Sequence, residues 1–197
     1  MHFAIATLGC KINQYESQWL REALVAAGHV EQAFGACGSE LHIINSCIVT
    51  QRSAADNRRL IRKALEQGGR VVLTGCQARA LTAEVAGLSE RLEVVPMAAL
   101  PEYLGLEPVA AVEGFTGHRR AFVKVQSGCD NFCTYCIVPF ARGLPVSRPL
   151  AEIVSEINAL GAAGYREVVL CGINLGLYEG GLASLVASLL AATDMPR

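Results

Sequence analysis

Six of the eight cysteines fall into two sets whose types and spacing suit soft-metal chemistry. Cys129, Cys133 and Cys136 lie within the eight residues CDNFCTYC. Gaps of three and two residues let a single loop wrap one corner of a cube-shaped cluster. Iron–sulfur clusters are held by cysteine thiolates, commonly four of them. Supplying only three leaves one iron open to an outside ligand, as catalytic metal sites keep a position free. Cys10, Cys47 and Cys76 are separated by 37 and 29 positions, and each ends a stretch that reads as a strand: TLGC, INSC and LTGC. Residues at the carboxyl ends of parallel strands converge on one sheet edge, where ligands bind. Gly9 and Gly75 precede two of these cysteines, which fits backbone passing close to a bulky inorganic group. Two other chemistries stay open. Cys171 could complete a structural zinc site, or the loop could belong to a four-cysteine electron carrier.

Positioning such sets requires a folded α/β scaffold, and the composition supplies one. The chain has 197 residues, 52% hydrophobic and 18% charged, with a mean hydropathy of +0.33. That excludes a disordered chain and is long enough to bury most of what it exposes when unfolded. The net charge is −1. Up to residue 118 there are 10 basic and 12 acidic residues, and after it 7 and 6. No global basic field announces a nucleic acid, so such a partner needs a local patch. The N-terminus MHFAIATLGC lacks the pattern of a signal peptide. The longest apolar stretch near the end, LASLVASLLAA, falls short of a membrane span. A cytoplasmic location is expected, where clustered thiols stay reduced.

Apolar runs alternate with helical periods, which predicts a parallel sheet covered on both faces. Strands are expected at His2–Leu8, Leu41–Asn45, Arg70–Thr74 and Leu92–Val95. Helices are expected near Gln14–Ala27, with Trp19, Leu20, Ala23 and Leu24 on one face, and near Ala54–Gln67, Thr82–Gly87 and Ala98–Leu104. Residues 1–104 therefore read as one Rossmann-like domain and residues 105–118, rich in glycine without a sustained period, as a linker. Residues 119–197 then begin a second α/β region. It has strands at Ala121–Gln126 and Glu167–Cys171, a helix entered at Pro149, and another at Leu182–Ala192. Two parallel strands cannot close a sheet, so the chain reads as the start of a longer protein.

The segment Gln126–Arg142 (QSGCDNFCTYCIVPFAR) resembles the cofactor loop of the radical S-adenosylmethionine methylthiotransferases. Thr7–Gln14 (TLGCKINQ), Asn45–Thr50 (NSCIVT) and Thr74–Gln77 (TGCQ) are similar to the three cysteine stations of that family's N-terminal domain. The resemblance covers the whole chain in order. TLGCKINQ looks most like the branch acting on N6-threonylcarbamoyladenosine beside the tRNA anticodon. Related enzymes act on isopentenyladenosine or on a ribosomal protein, and a non-catalytic iron–sulfur or zinc protein is the rival of another class.

The resemblance implies the first βα units of a radical S-adenosylmethionine partial TIM-type barrel after the N-terminal domain. It also implies two 4Fe–4S clusters, on Cys129, Cys133 and Cys136 and on Cys10, Cys47 and Cys76. The first would bind S-adenosylmethionine and cleave it with one electron from an external donor; the second would hold the sulfur that is transferred. The product would carry a methylthio group at C2 of the adenosine, a carbon that acid–base groups cannot activate, so no acid–base catalyst is expected. Tyr135 is expected near the adenine, and Gly172 and Asn174 near the amino-acid end of the cofactor. Ordinary packing for the first and a strand–helix turn for the other two are equally available. Arg58, Arg59, Arg62 and Lys63 could meet tRNA phosphates or simply be solvated. Leu144-Pro145-Val146 stands where the family carries a further basic residue. Cys37 matches no station, and Cys171 reads as a small buried residue. A monomer, poorly active as it stands, is the expectation.

Overall fold

The computed structural model describes residues 1–80, 89–107, 109–115 and 117–197. The helix expected near Thr82–Gly87 lies outside them. The first half builds a five-stranded, all-parallel sheet in the order β2-β1-β3-β4-β5. Its strands are β1 (His2–Thr7), β2 (Val30–Glu31), β3 (Leu41–Ser46), β4 (Arg70–Gly75) and β5 (Leu92–Val94). Alternate residues sort to opposite faces. Phe3, Ile5, Leu41, Ile43 and Val72 share one core with Leu20, Ala23 and Leu24 of helix α1 (Lys11–Ala26). Ile44, Val71 and Leu73 share another with Ile61 and Ala64 of helix α2 (Gln51–Gln67). Burial on both faces is why these strands read as continuous apolar runs.

Helix α2 starts three residues before the expected Ala54 because Thr50 caps it, accepting the Ser53 N–H at 3.1 Å. Helix α1 likewise begins at Lys11, directly after Cys10, three residues before the expected Gln14. Two further short helices are α3 (Cys76–Ala80) and α4 (Leu100–Leu104).

The second half pairs β6 (Ala121–Lys124) in parallel with β9 (Val168–Cys171). An antiparallel ribbon of β7 (Gln126–Ser127) and β8 (Val146–Ser147) closes the base of the cysteine loop. Helices α5 (Val138–Arg142), α6 (Leu150–Ala162) and α7 (Leu182–Ala192) complete it. The core of this half contains Val123, Ile153, Ile157 and Leu160, and it also takes in Ile12 and Tyr15 of α1. Trp19 packs against both cores.

So α1 is sandwiched between two sheets, and its N-terminal half is buried nearly all round, including Asn13, Glu16, Ser17 and Gln18. The expected face of Trp19, Leu20, Ala23 and Leu24 packs on the first core, and a second face with Ile12 and Tyr15 packs on the other. The segment after α4 is tied down at several of its described residues. Val109 O accepts the Trp19 indole N–H at 2.9 Å, Glu113 N–H reaches Glu22 at 2.8 Å, and Val112 and Phe115 are buried.

Candidate metal centre

Cys10, Cys47 and Cys76 each follow the carboxyl end of a strand, and those strands, β1, β3 and β4, are adjacent in the sheet. In this strand order the ligand crevice lies between β1 and β3. The structure brings these three cysteines to that edge: Cys10 Sγ lies 3.8 Å from Asn13 Oδ1, a Cβ on Gly9 would lie 3.0 Å from Cys47 Sγ and 3.3 Å from Asn13 Nδ2, and Cys76 shares Arg142 with Asn13. Cys10 is exposed while Cys47 and Cys76 are buried.

The two glycines explain themselves differently from the sequence expectation. Gly9 (φ +96°) would put a Cβ 2.8 Å from Cys47 Cβ, and Gly75 (φ +81°) one 2.6 Å from the Ser46 carbonyl oxygen. What they admit in this structure is the neighbouring strand's own chain.

Beneath the sulfurs lies a layer of buried amides that sequence reasoning did not single out. Asn13 Nδ2 donates to the carbonyls of Leu8 (2.7 Å) and Ser46 (2.9 Å). Asn57 Nδ2 donates to the Cys47 carbonyl and to Gln77 Oε1, both at 2.7 Å. Asn45 Nδ2 donates to the Asn13 carbonyl and to Ser17 Oγ, both at 3.0 Å. The signal was present in the motifs themselves, since Asn13, Asn45 and Gln77 stand one to three residues from a cysteine. Buried backbone carbonyls need donors, and these amides supply them where the strands end.

The second set sits in the loop between β7 and α5. Cys133 is exposed, and Cys129 and Cys136 are half-buried. The loop is pinned at its start by Cys129 N–H on the Gly143 carbonyl (3.0 Å) and internally by Cys136 N–H on the Cys133 carbonyl (2.9 Å). Gln126, fully buried, donates to the Gly128 carbonyl at 2.7 Å and accepts the Asn174 backbone N–H at 3.0 Å. That places the Asn174 side chain 4.0 Å from Cys129 Sγ. Gly172 lies against Gln126 and Leu175, where a Cβ would come within 2.6 Å of Leu175. Tyr135 is 89% exposed.

Cys171 is turned to its own strand, its thiol on the Val169 carbonyl at 3.2 Å, and burial pushes its pKa up to about 11. Cys37 is exposed beside Gln67. Arg59 is engaged by Asp56 at 3.4 Å and Lys63 by the Phe34 carbonyl at 3.4 Å, while Arg58 and Arg62 are exposed.

Arg142, at the end of α5, links the segment of the cysteine loop to the first set. Its Nε donates to Cys76 Sγ at 3.3 Å, its Nη1 to Glu16 at 2.6 Å, and its Nη2 to Asn13 Oδ1. Glu16 also holds Lys124 of β6 at 2.8 Å. Burial opposes the Glu16 charge, but Lys124 and Arg142 outweigh it and hold the carboxyl below its usual range. Burial raises the Cys76 pKa, against the pull of Arg142.

Beside this cluster a cavity of about 500 Å³ opens between the two halves, with Trp19, Met97 and Pro101 on one side and Lys124, Arg142 and Arg148 on the other. Its size lies in the range of small-molecule sites. Among the described residues no three His, Cys, Asp or Glu side chains are already gathered as a metal would hold them. The donor chemistry fits an iron–sulfur cluster nonetheless: every cysteine is a free thiol, thiolates are the ligands such clusters take, and Cys76 already has an outer hydrogen bond of the kind that orients ligands.

Comparison with known proteins adds to this geometry. Residues 2–95 match the model of a family described as "Uncharacterized protein family UPF0004". The chain is 37% identical to the threonylcarbamoyladenosine tRNA methylthiotransferase MtaB of Chlamydia pneumoniae, over 98% of this chain and 48% of that protein. It is 34% identical to MtaB of Bacillus subtilis, over 89% of this chain and 44% of that one. It is also 33% identical to the tRNA-2-methylthio-N(6)-dimethylallyladenosine synthase of Sphingopyxis alaskensis, over 90% and 45%. The chain thus spans about half the length of the curated relatives it matches. In fold it is similar to the radical S-adenosylmethionine methyltransferase TsrM of Kitasatospora setae. The TM-score is 0.62 at 14% identity, covering 99% of this chain and 52% of that one.

Proposed function

We propose that the chain belongs to the methylthiotransferase family, as its similarity to curated methylthiotransferases supports, and that it serves the methylthiolation of tRNA at C2 of N6-threonylcarbamoyladenosine next to the anticodon. Cys129, Cys133 and Cys136 would hold one 4Fe–4S cluster and Cys10, Cys47 and Cys76 a second. The single observation that carries this reading is the link at Arg142–Gly143, where the Gly143 carbonyl closes the loop on Cys129 and the Arg142 guanidinium reaches Cys76 of the other trio, beside a ligand-sized cavity that Arg142 lines. Bound there, the clusters and S-adenosylmethionine would supply one-electron chemistry and sulfur to a carbon that offers no acidic proton. The protein's part is placement. Asn174 lies beside Cys129 through Gln126, and with Gly172 it is proposed to face the amino-acid end of the cofactor, with exposed Tyr135 over its adenine. Residues 1–104 are proposed as the domain of the second cluster, 105–118 as the connection, and 119–197 as the start of the cofactor domain. The names of the MtaB relatives support the choice of nucleoside, and tRNA would be the partner, with a separate electron donor. Among the described residues no helix is long and apolar enough to cross a membrane.

Oxygen-free reconstitution with ferrous iron and sulfide tests the ligand assignment. About eight irons and eight sulfides per chain are expected for two four-iron clusters, falling by half when either trio is changed to alanine. Stoichiometric zinc without sulfide would refute it. Mass spectrometry of tRNA nucleosides from cells lacking the gene then tests the substrate. Loss of the methylthio form of threonylcarbamoyladenosine is expected, and its persistence would overturn the assignment.

A further inference from the structure

Arg142 is buried, with its side chain 7% exposed, and all three of its guanidinium nitrogens are used. Two of them reach α1, one on Glu16 and one on Asn13, and the third reaches Cys76 Sγ at 3.3 Å. Asn13 is itself the amide that ties the Leu8 carbonyl to the Ser46 carbonyl, at the ends of β1 and β3. A single planar fork therefore touches the frame of all three upstream stations. Its own helix, α5, follows Cys136 by two residues and packs on α3, the helix that begins at Cys76. The Arg142–Gly143 end also closes the loop, because the Gly143 carbonyl accepts the Cys129 N–H at 3.0 Å. Charge alone would not require this arrangement, since Glu16 is already paired with Lys124 at 2.8 Å.

We propose that Arg142 is the positioning residue that locks the loop of Cys129, Cys133 and Cys136 onto the edge carrying Cys10, Cys47 and Cys76, and that it tunes the Cys76 sulfur by direct hydrogen bonding. Lysine cannot replace it, because an ammonium on a single stem lacks the fixed fork that meets three partners at once. The first half of the proposal is independent of any cluster. The second half rests on the ligand reading given above.

The test uses the 197-residue chain with Arg142→Met, Arg142→Lys and, as a control, Arg148→Met, which removes a half-buried arginine that touches no sulfur. Hydrogen exchange of the metal-free chain is read by mass spectrometry for peptides covering 10–18, 74–80 and 128–147. Both Arg142 variants should speed exchange at least tenfold in all three peptides together, with Arg148→Met leaving the cysteine peptides slower than they do. Unchanged exchange in Arg142→Met would overturn the lock.

The cluster arm uses chains whose Cys129, Cys133 and Cys136 are alanine, reconstituted so that only the upstream station reports. Hydrogen bonds to sulfur are among the features that set cluster potentials. A spectroscopic redox titration should shift to lower potential in Arg142→Met, remain low in Arg142→Lys, and stay unmoved in Arg148→Met. An equal potential in the parent and Arg142→Met would overturn the tuning. Failure of the parent to assemble a cluster would refute the ligand reading and the tuning together, while the exchange result still decides the lock.

Discussion

The close approach of Gly9 to Cys47 can be measured by two alanine substitutions that differ in only one respect. Gly9 and Gly38 have nearly the same backbone conformation, φ +96° and +94°. An alanine at either is held in a region that costs an L-residue about 1–2 kcal/mol. At Gly38 the new methyl meets nothing within 4 Å. At Gly9 it would lie 2.8 Å from Cys47 Cβ, 3.0 Å from Cys47 Sγ and 3.3 Å from Asn13 Nδ2. None of these can yield easily, because Cys47 is buried and Asn13 is fixed by two carbonyls. Overpacking of this sort costs about 1–3 kcal/mol. Gly9→Ala should therefore destabilise the metal-free chain by about 2–5 kcal/mol, summing the two terms, and Gly38→Ala by about 1–2 kcal/mol. Urea unfolding under reducing conditions, with linear extrapolation, gives both values. In a Cys47→Gly background the excess at Gly9 should shrink, which makes it a coupling between the two residues. Equal losses at the two glycines would refute the idea that strand spacing at this edge is set by that contact.

Asn57→Ala leaves the Cys47 carbonyl and Gln77 Oε1 without the donor that serves both, so a loss of about 1–3 kcal/mol is expected by urea unfolding; an unchanged midpoint would show that the amide is dispensable. His42 is fully buried beside the Phe34 ring, with centroids 5.7 Å apart, and burial holds its pKa below the usual 6.5. The unfolded chain then takes up a proton that the folded chain refuses. Stability should be level in this respect above about pH 6.5 and fall below it, by at most about 1.4 kcal/mol per pH unit. His42→Gln should flatten that slope between pH 7 and 5.5, and an undiminished slope would remove His42 as its source. Glu156, fully buried, accepts from Arg148 at 2.6 Å, Tyr15 at 3.1 Å and the Val112 N–H at 3.4 Å. Glu156→Gln strands the Arg148 charge, so a loss of about 3–5 kcal/mol is expected from chemical unfolding, and a loss well under 1 kcal/mol would mean that exposed Glu152 suffices.

The residues that could be read from the sequence and those that could not differ in the range of the interactions that place them. Strands β1, β3 and β4 were readable because each is buried on both faces and so spells an unbroken apolar run. The two-residue strands β2, β7 and β8 carry no alternation to read, and α3 and α5 are five residues each, less than two turns. They exist because of what packs on them, α3 against α5 above all. The cysteines were readable by type and by position after a strand. The residues that orient them were not, because Arg142 meets Glu16 and Asn13 across 126 and 129 positions. No local period encodes such a pair.

The polar character of early α1 was a clue of a different kind. Asn13, Glu16, Ser17 and Gln18 would be unremarked on a solvated helix, and they become informative only beside Tyr15 and Trp19 on the same helix. A helix with large aromatic groups and carboxyl and amide groups on its several sides has no single solvent face. It must lie between two surfaces, one of them polar enough to answer Glu16. Lys124 and Arg142 are that answer, and they come from the strand and the short helix on either side of the cysteine loop. The same buried carboxylate that makes α1 a poor amphipathic helix thus ties it to the two elements that flank the cysteine loop.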